Sequence, residues 1–251
     1  MILKRAIIVA SFGTLDDDER ARTIDLIVSE LIEALPDVKI LSALTSNFIR
    51  RKLIGRGLVV RSIDECLIKL RAESIDEITI LPTHLTPGEE FEQKIMPFAT
   101  EGVKVLTPLF TTDCSTAFDR RALDVVLECY RPSADETLVL IGHGSPHRHN
   151  PVYENLQRLE EQIHIGVIEP TDRPNFDDVL RRLREVGAKK LLLAPLLLTG
   201  GAHVVNDIFG ADEGSWLSRL KAAGFDVRAC VDGLGSFAAF RRLYLEKYLS
   251  V

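Results

Sequence analysis

The feature that most limits what this chain can fold into is an internal repeat. Ile8-Val9-Ala10-Ser11-Phe12-Gly13-Thr14 returns in pattern as Leu140-Ile141-Gly142-His143-Gly144-Ser145. Each is a short apolar run that breaks at a glycine-bearing turn ahead of a helical segment. A second landmark follows each copy. Pro82-Thr83-His84-Leu85-Thr86-Pro87-Gly88-Glu89-Glu90 aligns with Pro195-Leu196-Leu197-Leu198-Thr199-Gly200-Gly201-Ala202-His203, sharing the proline, a Leu-Thr pair and a later glycine at equal offsets. The alignment sets Glu90 and His203 in equivalent places.

Further apolar runs recur between these landmarks. Ala6 to Ala10, Val38 to Leu44, Ile78 to Pro82, Val103 to Leu106, Leu138 to Ile141, Leu191 to Leu198 and Val227 to Val231 read as buried strands. Ile24, Ile27, Val28, Leu31 and Leu35 form a stripe at helical spacing, as do Phe176, Val179, Leu180, Leu183 and Val186. Strand then helix, repeated, predicts an α/β fold of two similar lobes, each a parallel sheet flanked by helices, with the active-site cleft between them. The division is expected in the polar turn Arg131-Pro132-Ser133-Ala134-Asp135, giving lobes 1–131 and 132–251. Ser236 to Leu249 reads as a last helix, which packs back on the N-terminal lobe if it reaches that far. Ligands of open α/β sheets sit at the carboxyl ends of the strands, so Phe12, Glu90, His143 and His203 are the residues to examine.

Composition narrows the function. At 251 residues and 46% hydrophobic, the chain can bury one large core or two medium ones. A formal net charge of -6 argues against a nucleic-acid binder held by a global basic field. The opening apolar run is too short for a signal or a membrane span and is read as the first strand. Cys66, Cys114, Cys129 and Cys230 lie far apart, which supports neither a cysteine zinc knuckle nor a redox pair and leaves a reducing cytoplasm as the default. No phosphate loop, serine-hydrolase elbow or dinucleotide fingerprint is present, so no ATP and no nucleotide cofactor are expected.

Within that frame, His143 leaves an apolar strand between two glycines that would let a ligand or a partner backbone come close. From local sequence alone, a working histidine and one that merely satisfies a turn carbonyl are equally good readings. His203 follows the most apolar strand, and the repeat sets the Glu90 carboxylate where the other half has this imidazole. One carboxylate and two imidazoles make a transient metal site. His147 and His149 suggest a metal loop, but Pro146 excludes a helix that would align them, and the structural reading is favoured. His84 precedes an acidic loop, and His164 is expected in a surface turn. Arg50, Arg51 and Lys52 concentrate charge after the second strand, where they either meet ligand carboxylates or form a solvated helix face. Trp216 is expected in a core or a seam.

Taken together, Ser11-Phe12-Gly13-Thr14, Thr45 to Leu53, His84 through Glu92, Gly142 to His147, and Gly201 through Asp207 followed by Ser215-Trp216 resemble the anaerobic sirohydrochlorin cobaltochelatase family, within the class II chelatases that also contain ferrochelatase. The resemblance spans nearly the whole chain, with departures at Leu85-Thr86-Pro87 and at Ala202. It implies ATP-independent insertion of Co2+, with Fe2+ or Ni2+ as alternatives, into sirohydrochlorin or a precorrin-2-type tetrapyrrole in cobalamin biosynthesis. His143, Glu90 and His203 would be both metal ligands and catalytic groups, and Ser11, Phe12, Gly144, Arg50, Arg51 and Lys52 would contact substrate. The enzyme would be cytoplasmic and homo-oligomeric, with no membrane or nucleic-acid partner. Sirohaem ferrochelatase and a non-catalytic tetrapyrrole or metal carrier are the alternatives. A histidine-dependent phosphatase fits less well, because Ile141-Gly142 stand where an arginine would precede the histidine.

Overall fold

The run Ala6 to Ala10 becomes the interior of strand β1 (Arg5–Ser11), in which every residue from Ala6 to Ser11 is buried. A continuous apolar run needs cover on both faces, and a central parallel strand provides it. The computed structural model describes residues 3–201 and 204–250. By compactness the chain divides into Met1–Leu109 with Arg241–Val251, and Phe110–Phe240.

In the first unit, β1 is followed by α1 (Asp17–Arg22), α2 (Ile24–Ala34), β2 (Val38–Leu44), α3 (Asn47–Gly55), α4 (Ile63–Ala72), β3 (Glu77–Pro82), α5 (Glu89–Lys94) and β4 (Val103–Val105). The sheet is parallel, in order β2-β1-β3-β4. Side-chain alternation sends Ala6, Ile8 and Ala10 of β1 to one face, where they meet Cys66, Leu67 and Leu70 of α4. Ser62 starts α4 with a reciprocal capping box to Glu65. Later in the chain, Arg241 pairs with Glu30 and the Tyr244 hydroxyl donates to the Thr83 carbonyl at 2.8 Å.

The second unit runs α6 (Ala117–Tyr130), β5 (Glu136–Gly142), α7 (Val152–Leu159), β6 (Ile163–Val167), α8 (Phe176–Glu185), β7 (Lys190–Pro195), α9 (Trp216–Ala222) and β8 (Asp226–Ala229), and the start of α10 (Ala238–Leu249) follows. Its sheet is parallel, in order β6-β5-β7-β8, which repeats the order of the first. Val139, Ile141, Leu191 and Leu193 pack against Val179 and Leu183 of α8 and Trp216 and Leu220 of α9. Helix α6 belongs to this second unit. Its Tyr130 hydroxyl donates to the Pro195 carbonyl and its Arg120 pairs with Glu160.

Three expectations are corrected. The segment around His164 is strand β6, with the histidine buried, not a surface turn. Its apolar pattern is interrupted by Gly166, whose small size is required because an added Cβ would lie 2.4 Å from the Trp216 ring. Strand β7 stops at Pro195, leaving the last three residues of its expected run outside it. β8 is not a buried strand, because as the sheet edge it leaves Asp226, Arg228 and Ala229 exposed.

Burial gives this fold an acid-sensitive stability. The ring nitrogens of His84 are sealed from solvent without hydrogen-bond partners, and burial pushes its pKa down to about 4. Burial and then the nearby Arg182 charge push His164 to about 4 as well. An unfolded imidazole protonates near 6.5, so between pH 6.5 and 4 the unfolded state holds more protons and stability falls as pH falls. Each histidine should cost about 1.4 kcal/mol per pH unit across that window. Denaturant melts from pH 7 to 5 should show this slope, and His164→Val should flatten it; a slope unchanged by His164→Val would remove that histidine from the account.

Candidate active site

In the first unit, the carboxyl ends of β1, β2 and β3 gather a hydroxyl-rich edge. Thr45 N–H donates to the Ser11 carbonyl at 2.8 Å, Thr83 N–H donates to Ala10 at 2.9 Å, and the Thr83 hydroxyl donates to Ser11 Oγ at 3.1 Å. Ser11 is therefore wholly buried in the strand ends, whereas Phe12 beside it is 50% exposed. Glu90 stands in the first turn of α5 and is half-buried. Its Oε1 accepts from the Thr45 hydroxyl at 2.7 Å, which fixes the carboxylate while leaving lone pairs for another group.

Cations near this edge differ in availability. Arg50 is committed to Glu65 at 2.8 Å with only 15% of its side chain exposed. Arg51 and Lys52 lie exposed on α3, with Lys52 Nζ 5.8 Å from the centre of the Phe48 ring. Phe48 itself is exposed, so an apolar and cationic helix face borders the strand ends.

In the second unit, His143 follows β5 directly and its side chain is exposed. The flanking glycines are packed against the protein's own side chains. An added Cβ on Gly142 would lie 2.2 Å from the Tyr153 ring. At Gly144, with φ of +79°, it would lie 3.0 Å from Val167 and Glu169. The Gly144 N–H donates to the Tyr153 hydroxyl at 3.4 Å, so the strand end, the turn and α7 are fitted together under the imidazole. His147 is exposed, whereas His149 Nδ1 meets Asp172 Oδ1 at 2.7 Å, in keeping with a structural role.

His203 lies outside the described residues, and a single π turn, Val204–Ile208, follows it. Among the described residues, no group of three or more His, Cys, Asp or Glu side chains is placed to hold a metal. No helix among them is long and apolar enough to cross a membrane.

A family model described as cobalt chelatase (CbiK) matches residues 5–251. The chain belongs to this chelatase family. It is 30% identical over 256 residues to the sirohydrochlorin cobaltochelatase of Salmonella typhimurium, covering 97% of this chain and 94% of that one. It is 28% identical to the sirohydrochlorin cobaltochelatase CbiKC of Nitratidesulfovibrio vulgaris, covering 97% and 89%. Among solved structures, SirB from Bacillus subtilis with Fe3+ superposes with a TM-score of 0.61 at 12% identity, covering 99% of this chain and 95% of that one, a likeness of fold.

As a CbiK-family chelatase the chain is an enzyme, and the phosphatase and carrier readings fall away. Sequence reasoning pointed to His143 and Glu90 as candidates but did not identify the side chains packed or hydrogen-bonded beside them. Thr45 stands within a recognised motif without a role, and Tyr153 lies in an ordinary helical stripe. Because Gly142 is packed against Tyr153, Gly142→Ala should destabilise the enzyme by about 1–3 kcal/mol through overpacking. Thermal melts check this, and an unchanged midpoint would show that the ring moves freely.

Proposed function

We propose that this enzyme inserts a divalent metal, Co2+ foremost, into sirohydrochlorin without ATP. The relatives that match over nearly its whole length are named for that reaction, which supports the substrate and the metal. The observation that carries the reading is the exposed His143 on a rigid strand-end turn at the carboxyl edge of its sheet, where α/β proteins place their ligands.

The chemistry asks for groups of this kind. Metallation removes two pyrrole N–H protons, strips water from the ion and needs the macrocycle held still. The free ring nitrogen of a neutral imidazole can ligate such an ion or accept a proton, so His143 takes the principal role with His203 as its partner. Glu90, oriented by Thr45, acts as the carboxylate that steers the ion or relays protons. Phe12 offers apolar surface to the macrocycle, while Arg51 and Lys52 pair with its acidic side chains. Gly144 contributes backbone at the same turn, Ser11 supports the edge from beneath, and Arg50 joins only by leaving Glu65. The four free thiols support a reducing cytoplasm as its compartment.

Anaerobic absorbance assays of sirohydrochlorin with Co2+, Fe2+ and Ni2+ test the reading. Multiple turnover is expected, fastest with Co2+, and His143→Ala should slow it roughly 100-fold or more. Turnover that survives His143→Ala would overturn the role of this histidine, and a faster reaction with Fe2+ would reassign the metal.

A further inference from the structure

The loop from His143 to Pro151 has no regular hydrogen-bonded ladder, yet it carries the imidazole that the proposed reaction needs. Backbone amides in such a loop need acceptors, and a loop that is free to shift would scatter the imidazole. Asp172 supplies the acceptors. Its side chain is 0% exposed. Oδ2 accepts from Ser145 N–H at 2.8 Å, and Oδ1 accepts from Asn150 N–H at 3.2 Å and from Arg173 N–H at 2.8 Å. Oδ1 also takes His149 Nδ1 at 2.7 Å, and because a carboxylate only accepts, that nitrogen carries the proton.

The same segment grips the loop from the other side. Ile168 N–H donates to the Gly142 carbonyl at 2.9 Å and Glu169 N–H to the His143 carbonyl at 3.0 Å. His143 is thus bracketed: the carbonyls before and at it are held by donors of 168–169, and the amides after it by the acceptor at 172. A buried carboxylate persists only when donors replace its water. Here three of the four donors belong to the loop that bears His143.

We infer that Asp172 is the positioning residue of the His143 loop, holding the imidazole in register for metal insertion without touching the substrate. This rests on the reading of His143 as the reacting group. The near-isosteric Asp172→Asn turns one acceptor into a donor facing a backbone N–H. It should lower kcat about tenfold or more while KM for sirohydrochlorin stays within about twofold. In the same variant, the Ser145 and Asn150 amides should exchange with solvent at least about tenfold faster. Thr116→Ala, which removes the cap of α6 at Asp119 N–H, is the control for lost stability and should keep kcat within about twofold.

If Asp172→Asn fails to fold, Asp172→Ala assayed with added formate reads the same role. Formate, unlike chloride, should restore kcat by refilling the carboxylate site. Unchanged kcat in Asp172→Asn, a kcat loss matched by Thr116→Ala at equal stability, or no rescue by formate would each overturn the inference. His143→Ala in the same assay separates the two ideas. Its activity surviving refutes the role of His143, whereas its loss beside an unaffected Asp172→Asn refutes only the positioning role.

Discussion

The structure depends on the burial of β1 and β5 from both faces. The interior of β1 is Ala, Ile and Val and that of β5 is Leu, Val and Ile, each between two parallel neighbours with helices packed against the sheet. Such strands have no polar side chains to spare along their length. Functional groups therefore emerge where the strands end, and the backbone turns there must be satisfied by other segments.

The two units solve this problem differently. In the first, hydroxyls do the work. Ser11, Thr45 and Thr83 tie the strand ends to one another, and the Thr45 hydroxyl continues the network to the Glu90 carboxylate. In the second, a buried carboxylate does it. Asp172 gathers the amides of the loop after β5 while Tyr153 fills the space left by Gly142. The same strand order thus presents a carboxylate on one edge and an imidazole on the other.

Much of this was legible in the chain. The repeated strand order was foreshadowed by two motif pairs, and long apolar runs gave β1, β2 and β5 close to their observed limits. His143 stood out because glycines flank it at the end of such a run. β6 was not legible. His164 and Gly166 interrupt its apolar pattern, and the reason for the glycine is a tryptophan far along the chain. The pairing of Arg50 was not legible either, because Glu65, its partner, belongs to the next helix.

The sequence alone determined the α/β class, the two-fold repetition and the strand-end residue types, because these follow from local periodicity and from which residues can leave a buried strand. Tertiary structure decided which of them are held and by what. Asp172, Thr45 and Tyr153 acquire their roles through contacts between segments distant in sequence, and hydrogen-bond partners across such distances leave no local pattern to read. The glycines beside His143 show the same division of labour. Their presence was evident, but that they make room for Tyr153, Val167 and Glu169 is a matter of packing.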